Sequence, residues 1–336
     1  MGEIVFEGEI LHLPLGATVL DALEAAGKDV RSSCRSGICQ TCMMQALEGS
    51  PPAKAQAGLR DTLRVQRYFL ACMCIPEERL VIGRPGAGFR CVATIAKLQL
   101  LNDSVSEVRL RCADTFDYRP GQFVNLVNPD GIVRSYSLAS IPGVDDTLAL
   151  HVARVPGGAM SGWVHERAKP GDSVELLGPH GNCFYVPGNT TQPLLLVGTG
   201  TGLAPLLGIL TDALRQGHDG PIHLFHGSVR KAGLYLVDRL RALAERAPQF
   251  HYHPCVLEGD VDAGMHLGPI DAHVPEILLA LKGFRVYLCG HPDLVKKLQK
   301  QTFLMGASLK EIFADPFVPA KPVEHEKVLM PFPLNS

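Results

Sequence analysis

The sequence lacks a long run of basic residues, and its charges nearly cancel. Lysine and arginine together number 32 and aspartate and glutamate 34, so the formal net charge is −2. A nucleic-acid-binding surface needs clustered positive charge to neutralise phosphates. We therefore expect no nucleic-acid partner.

The start of the chain also lacks the basic and apolar segments of a secretory signal. Its first residues, Met1-Gly-Glu-Ile-Val-Phe-Glu, alternate apolar and polar side chains as a strand does. The ten cysteines of a chain without such a signal fit a reducing compartment better than a disulfide scaffold. We expect a cytoplasmic protein.

One stretch, residues 193–210, has no charged residue over 18 positions, which is near the length of a membrane span. It contains Pro193, Pro205 and four glycines, however. A buried strand, a glycine turn and a buried helix explain this composition better. We expect no membrane partner.

Histidine is absent between positions 13 and 150, which excludes a Rieske cluster there because such a site needs two histidine ligands. The region carries a cysteine pattern instead. Cys34, Cys39 and Cys42 follow the spacing C-x4-C-x2-C, and Cys72 comes after a gap of 29 residues. This is the spacing of a plant-type 2Fe–2S cluster, so the sequence predicts these four cysteines as its ligands.

Two alternatives to this ligand set are weaker. Cys74 competes with Cys72 because residues two apart on a strand share a face, although the plant-type spacing favours Cys72. A zinc ribbon would show paired C-x2-C knuckles, and only Cys39 and Cys42 form one. The pair His251 and His253 also resembles metal ligands on one strand face, but we expect these rings to serve packing.

Composition divides the chain into four parts. Residues 1–82 hold short strands, a helix predicted over 18–26 and the cysteine loop, and a Gly- and Pro-rich linker follows. Residues 90–190 contain predicted strands at 91–100, 107–112, 122–128, 135–139, 147–155 and 173–177, a spacing typical of an antiparallel barrel. In residues 191–317 strands alternate with helices near 204–216, 235–247 and 292–305, which predicts a parallel sheet with helices on both faces. Residues 318–336 form a Pro-rich C-terminal tail.

The predicted barrel carries Arg134-Ser-Tyr136-Ser137. Arg134 and Tyr136 share a strand face and can contact one ligand. A guanidinium offers a forked set of donors to a pyrophosphate, and a tyrosine ring can lie against an isoalloxazine ring. Taken alone, the motif could also be a polar strand edge.

The third part opens with a glycine turn, Gly198-Thr-Gly-Thr-Gly202, between a buried strand and a helix. Glycines there let a phosphate approach the helix N-terminus. The turn is not the Rossmann G-x-G-x-x-G, and no acidic residue ends the next strand. That strand ends near Ser228 and Arg230, and an arginine could accept a 2′-phosphate, so NADPH stays possible.

On these motifs the chain resembles the ferredoxin–NADP reductase superfamily, in particular the NADH-dependent reductase components of bacterial multicomponent oxygenases. The closing segments Cys289-Gly-His-Pro292 and Glu311-Ile-Phe-Ala-Asp-Pro-Phe317 also match, so the resemblance runs to about residue 317. It implies an α+β ferredoxin (β-grasp) domain, an antiparallel β-barrel flavin domain and an α/β parallel-sheet nucleotide domain.

The resemblance further implies the cofactor-binding residues. For FAD these are Arg134, Tyr136, Ser137, His151, Val152, Gly158, Ala159, Met160, Ser161 and Phe317. For NADH they are Gly198, Thr199, Gly200, Thr201, Gly202, Ser228, Arg230, Cys289, Gly290 and Pro292. Ser137 and Cys289 would be catalytic, near flavin N5 and nicotinamide C4, and Phe317 could shield the flavin ring.

The expected function is therefore a reductase that passes electrons from NADH, through FAD and a 2Fe–2S cluster, to the terminal component of a mono- or dioxygenase. An intermediate electron-acceptor protein is the alternative partner. The same electron chain could serve a non-oxygenase acceptor such as a deoxysugar dehydratase. A different class is a non-enzymatic metal-binding or electron-carrier protein, against which the intact glycine and C-G-x-P motifs count.

Overall fold

The computed structural model describes residues 2–86 and 89–318, and these form three sheets. The predicted tail lies outside the described residues except for Val318. The three sheets follow one another along the chain, in the order that the sequence predicts. Ferredoxin domain, barrel and nucleotide domain below denote the parts of the chain built around the first, second and third sheet.

The ferredoxin domain is a five-stranded sheet with the order β2-β1-β5-β3-β4. Its elements are β1 (Gly2–Phe6), β2 (Glu9–Leu13), α1 (Val19–Ala25), β3 (Met43–Glu48), α2 (Asp61–Val65), β4 (Tyr68–Leu70) and β5 (Leu80–Gly83). The predicted helix is confirmed, since Thr18 forms a capping box with Asp21. The apolar face of α1 packs Leu20 and Leu23 into the core, beside Ile4 and Phe6 of β1.

The barrel is a six-stranded antiparallel sheet with the order β10-β7-β6-β11-β8-β9. Its elements are β6 (Phe89–Asn102), β7 (Val105–Cys112), β8 (Phe123–Val127), β9 (Val133–Ser137), β10 (Leu148–Ala153), α3 (Ala159–Glu166) and β11 (Ser173–His180). A bridge between Leu138 and Leu150 joins the two outer strands, so the sheet curls toward closure.

All six predicted barrel strands are present. The strand that carries Arg134-Ser-Tyr136-Ser137, called the flavin-motif strand below, starts earlier than predicted. It runs over Val133–Ser137 rather than 135–139. The turn that ends at Gly131 is tight, so β9 pairs at once with β8, with Val133 opposite Val127 and Ser137 opposite Phe123. The hairpin geometry therefore decides where the strand begins.

The nucleotide domain is a parallel sheet with the order β15-β14-β13-β12-β16-β17. Its elements are β12 (Leu194–Thr199), α4 (Leu203–Arg215), β13 (Ile222–Ser228), α5 (Val237–Arg246), β14 (Phe250–Val256), β15 (His266–Leu267), α6 (Ile270–Ile277), β16 (Arg285–Gly290), α7 (Pro292–Leu304) and β17 (Ile312–Pro316). Apolar cores lie on both faces of this sheet, as its strands of continuous apolar residues predict.

The charge-free stretch 193–210 is a buried strand, a glycine turn and a buried helix, as predicted. None of the helices that the structure describes is both long and apolar enough to cross a bilayer. Helix α4 packs closely on the barrel at Gly208, where a Cβ atom would stand 2.9 Å from the carbonyl oxygen of Leu138. Ala139, Ala149 and Ala204 form the small apolar contact beside it.

Candidate functional site

The three closely spaced cysteines lie on the tight loop between α1 and β3. Arg35 and Gly37 turn the loop with left-handed φ angles of 50° and 77°. The amides of Ser36 and Cys39 donate to Cys34 Sγ over 3.4 and 3.3 Å. Hydrogen bonds from the Ser36 side chain and from these amides lower the pKa of the Cys34 thiol to about 5. The loop thus favours the thiolate, which is the form that binds iron.

The structure separates the two candidates for the fourth ligand. Cys72 lies in the 3₁₀ turn Ala71–Met73, where burial and a hydrogen bond with Cys42 raise its pKa. Cys74 is fully buried in the ferredoxin core, and burial raises its pKa to about 12. The strand ends at Leu70, so the alternation that would pair the two cysteines on one face does not apply. Cys72, not Cys74, is therefore beside the loop.

The donor set fits a 2Fe–2S cluster. Four cysteine thiols are available, with Cys34 and Cys39 exposed on the loop and Cys42 and Cys72 buried behind it. Cysteine sulfurs are the ligands of such a cluster. Peptide amides that donate hydrogen bonds to those sulfurs support it.

The flavin motif lies at the edge of the barrel. Arg134 and Tyr136 are both half-buried and share a face, whereas Ser135 is exposed and donates to Asn125 Oδ1 over 2.7 Å. The Arg134 guanidinium donates to the Val133 carbonyl oxygen over 2.7 Å, which uses one of its five N–H donors. Burial raises the pKa of Tyr136 to about 12. A half-buried cation beside a half-buried ring fits a ligand with a phosphate and an aromatic system, as FAD has.

Ser161 holds the turn that leads into helix α3, and the helix cap itself is Gly158. Helix α3 begins after Gly158. A Cβ atom at Gly158 would stand 2.5 Å from Ser161 Oγ, so this position has no room for a side chain. The Val155 amide donates to Ser161 Oγ over 3.1 Å. The buried Ser161 thus fixes the turn that leads into the helix N-terminus, and Ala159 and Met160 form its first turn.

The side chains of His151 and Val152 point in different directions. Val152 belongs to the barrel core. His151 points out of the barrel to Tyr235 of the nucleotide domain, with 3.1 Å between its Nδ1 and the Tyr235 hydroxyl. The sequence could not distinguish these two directions, because they depend on how the domains pack.

The three glycines of the nucleotide turn have different surroundings. Gly200 has a left-handed φ of 54° and open space where a Cβ would be. Gly198 and Gly202 are tightly enclosed, Gly198 by Leu206 and Gly202 by the carbonyl oxygen of Cys289. Gly200, with Thr199 and Thr201 beside it, therefore offers the open backbone to a phosphate. Gly202 lets the turn pack against β16, and Gly198 lets it pack against the first part of α4.

Cys289 and Gly290 end β16 against this turn, and Pro292 begins α7. The Phe317 amide donates to the Gly290 carbonyl oxygen over 2.8 Å, which fixes Phe317 beside the strand end. Burial raises the pKa of the Cys289 thiol well above its usual value, so the thiol stays neutral. Its Sγ lies 3.9 Å from Cys183 Sγ of the barrel.

Asp315 is a site residue that the sequence analysis missed. It lies opposite Cys289 in the β16–β17 pair, and Ser137 Oγ donates to its Oδ2 over 3.2 Å. Burial raises the pKa of this carboxyl, and the hydrogen bond from Ser137 counteracts that shift. Ser137, Cys289 and Asp315 thus meet where the barrel faces the nucleotide domain. The signal for Asp315 was its place two residues before Phe317 in the closing motif.

Arg230 lies at the outer end of the nucleotide site. It is strongly exposed and its Nη2 lies 3.0 Å from Glu258 Oε1, while Ser228 Oγ donates to the Arg230 carbonyl oxygen over 2.9 Å. The sequence has no acidic residue at the end of β13. The structure supplies one from the neighbouring strand, because Glu258 follows β14.

The histidines of β14 are part of a stack of rings on one face of the sheet. His253 stacks on Phe225 at 4.4 Å, and its Nε2 lies 3.1 Å from His223 Nδ1. His251 stacks on the other side of His223 at 4.6 Å.

Three family models match successive parts of the chain. Residues 6–77 match the model of the 2Fe-2S iron-sulfur cluster binding domain. Residues 93–185 match the oxidoreductase FAD-binding domain, and residues 196–300 match the oxidoreductase NAD-binding domain.

Relatives of known name match over almost the whole chain. The reductase component of the naphthalene 1,2-dioxygenase system of Pseudomonas putida is 32% identical, over 92% of this chain and 96% of the relative. The reductase subunit of an aromatic O-demethylase of Amycolatopsis sp. is 35% identical, over 91% and 95%. The crystal structure of an Amycolatopsis cytochrome P450 reductase superposes with a TM-score of 0.67 at 30% identity, covering 96% of this chain and all of that one.

Three domains with these sites define an oxidoreductase that uses NAD(P)H, FAD and a 2Fe–2S cluster. The chain belongs to the family of iron–sulfur flavoprotein ferredoxin reductases that includes these reductase components. The fold predicted from the sequence is confirmed in all three domains.

Proposed function

We propose that this protein takes electrons from NADH and delivers them to a terminal oxygenase component. When bound, FAD accepts a pair of electrons from the nicotinamide and the cluster passes single electrons onward. The support for an oxygenase partner is that relatives spanning more than nine-tenths of the chain are named as reductases of a dioxygenase system and an O-demethylase.

The observation that carries the proposal is the meeting of Ser137, Cys289 and Asp315 between the two cofactor domains. A flavin held by the barrel and a nicotinamide held by the glycine turn would have their reactive edges here. The neutral Cys289 thiol adds no charge beside the nicotinamide, and Ser137 offers a hydroxyl that can exchange its hydrogen bond from Asp315 to a flavin atom. The same proposal includes the binding of FAD by Arg134, Tyr136 and Phe317. It also includes the division of the chain into domains at residues 82, 90, 190 and 317.

The contact between Arg230 and Glu258 supports NADH as the donor. A 2′-phosphate would need the Arg230 guanidinium, which Glu258 already engages over 3.0 Å. Glu258 would also repel a phosphate and could accept a hydrogen bond from a ribose hydroxyl. A nucleotide without the 2′-phosphate therefore suits this end of the site better.

An anaerobic titration of the purified protein with NADH, followed by visible absorption, tests the proposal. We expect the flavin band to bleach and the cluster absorption to fall with it. NADPH should do this less efficiently. A Cys39→Ser variant should lose the cluster but keep NADH-dependent reduction of a small dye that accepts electrons from flavin. A protein that shows no response to either nucleotide would contradict the proposal.

Reduction of a purified oxygenase component tests the partner. We expect NADH-dependent reduction of a Rieske or di-iron oxygenase by the intact protein and none by Cys39→Ser. Equal reduction by both forms would mean that electrons leave from the flavin, and the proposed order of the carriers would be wrong.

A further inference from the structure

We propose that residues 60–66 of the ferredoxin domain form a docking segment, with Asp61 and Arg285 as the positioning pair that holds the cluster domain in place for electron transfer. This inference rests on the proposed function, since it concerns the internal step between flavin and cluster. The docking segment contacts both other domains.

The ion pair between Asp61 and Arg285 joins two domains. Arg285 Nη2 lies 2.7 Å from Asp61 Oδ2, and Arg285 Nε lies 2.7 Å from Glu311 Oε2. The Arg285 residue is 7% exposed, so water does little to weaken the pair. Glu311 belongs to the nucleotide domain, as Arg285 does. Glu311 thus holds Arg285 from within the nucleotide domain, and Asp61 binds the same guanidinium from the ferredoxin domain.

Arg60 makes the second contact of the docking segment. Its Nη1 and Nη2 donate to the carbonyl oxygens of Ile312 and Leu309 over 2.9 and 2.8 Å. The guanidinium lies over the ring of Phe313, 4.9 Å from the centroid, and that of Arg285 lies over the same ring at 5.5 Å. Residues 60 and 61 therefore hold the ferredoxin domain on the starts of β16 and β17.

Gln66 makes the third contact, with the barrel. Gln122 Nε2 donates to Gln66 Oε1 over 3.0 Å and, on its other side, to the Gly181 carbonyl oxygen over 3.1 Å. Gln122 directly precedes β8, the strand that pairs with the flavin-motif strand. The docking segment thus bridges the nucleotide domain and the barrel within seven residues.

The position of the docking segment in the chain links it to the cluster. β4 begins two residues after Gln66 and leads to Cys72, the buried ligand. A shift of the docking segment would move this ligand relative to the barrel. Electron tunnelling slows steeply with distance, so a cluster domain that docks for a smaller fraction of the time receives electrons more slowly.

Asp61→Asn is the variant that tests this role, because it removes the charge and keeps the shape. In the fully loaded protein, mixed anaerobically with NADH in a stopped-flow instrument, we expect flavin bleaching at the rate of the unchanged protein. Reduction of the cluster should slow by about tenfold, as expected if the ferredoxin domain is docked for about a tenth of the time. Iron and FAD content should not change.

Asp130→Asn is the matched control. Asp130 Oδ2 also lies 2.7 Å from an arginine, Arg167 Nη2, but both residues belong to the barrel. This variant should reduce its cluster at the normal rate. In an Arg285→Gln background, where the partner is already missing, Asp61→Asn should have no further effect on cluster reduction.

Cluster reduction at the normal rate in Asp61→Asn would overturn the inference. Equal slowing of flavin bleaching and cluster reduction would also overturn it, because it would show a general structural defect rather than a docking role. Failure of the proposed function would look different, since the unchanged protein would then not respond to NADH.

Discussion

The hydroxyl of Ser137 donates a hydrogen bond to the carboxylate of Asp315 over 3.2 Å, across the boundary between the barrel and the nucleotide domain. Ser137 ends the flavin-motif strand, and Asp315 lies on the strand beside Cys289. Burial raises the pKa of the Asp315 carboxyl, so its charge depends on this donor. The contact makes the geometry of the flavin motif sensitive to the position of the nucleotide domain.

Ser137→Ala should slow flavin reduction by NADH. The change removes a hydroxyl from the meeting point of the two domains and leaves the Asp315 carboxylate buried without its donor, at a cost of about 1–3 kcal/mol. We expect the rate of flavin bleaching to fall by about tenfold, which corresponds to the loss of one hydrogen bond of about 1.4 kcal/mol from the transition state. Ser135→Ala, two residues earlier on the same strand and exposed, is the control and should bleach normally. A normal rate in Ser137→Ala would remove this hydroxyl from the site.

Arg134→Ala should weaken the binding of FAD. A charge-assisted hydrogen bond to a phosphate contributes about 1.5–3 kcal/mol, so the dissociation constant should rise by about one to two powers of ten. Flavin content after gel filtration and a titration of the stripped protein with FAD would measure this. Arg167→Ala is the control, because Arg167 belongs to the same domain but pairs with Asp130. If both variants retained FAD equally, Arg134 would not hold the cofactor.

Cys72→Ser and Cys74→Ser should differ in cluster content. Cys72 hydrogen-bonds with Cys42 at the loop, whereas Cys74 is fully buried. We expect Cys72→Ser to lose the cluster absorption and most of its iron. Cys74→Ser should keep the cluster and lose about 1–3 kcal/mol of stability, because its hydroxyl is buried in an apolar core. The reverse result in iron analysis would make Cys74 the ligand.

Glu258→Gln should shift the preference of the protein toward NADPH. Without the carboxylate, the Arg230 guanidinium becomes available to a 2′-phosphate, and the repulsion between two negative groups disappears. The ratio of kcat/KM for NADH to that for NADPH should fall by about tenfold. This corresponds to one exposed charge interaction of about 1 kcal/mol between Arg230 and the phosphate, together with the loss of the repulsion between Glu258 and the phosphate. Glu9→Gln, which removes an exposed carboxylate that pairs with Lys28 in the ferredoxin domain, should leave the ratio unchanged. An unchanged ratio in Glu258→Gln would place the 2′ position elsewhere.

Local patterns in the sequence predicted most of the fold, and the misses come from contacts between distant parts. The spacing of Cys34, Cys39 and Cys42 and the alternation of the barrel strands are local signals. Helix α6 was missed because Pro275 interrupts its pattern. The direction of the His151 side chain and the pairing of Asp61 depend on how the domains meet, which no window of one sequence reveals.

Acid should destabilise the protein through histidines that are buried in neutral form. His226 is fully buried, its Nδ1 lies 3.0 Å from the Tyr252 hydroxyl, and burial lowers its pKa to about 3. The unfolded chain binds a proton at a pKa of about 6.5, whereas the folded chain does not until the pH falls to about 3. Folding stability from this residue is therefore complete above about pH 6.5 and is lost as the pH falls below it, by about 1.4 kcal/mol per pH unit.

His226→Asn should flatten this pH dependence. The amide can keep a hydrogen bond with Tyr252 but binds no proton. Between pH 7 and about pH 5, the variant should therefore lose about 2 kcal/mol less folding stability than the unchanged protein does. Urea unfolding followed by circular dichroism at both pH values measures it, with cofactors kept in excess. His12→Asn is the control, since His12 is exposed and should leave the slope unchanged. The same slope in His226→Asn and the unchanged protein would show that other groups, such as the buried His151, carry the acid sensitivity.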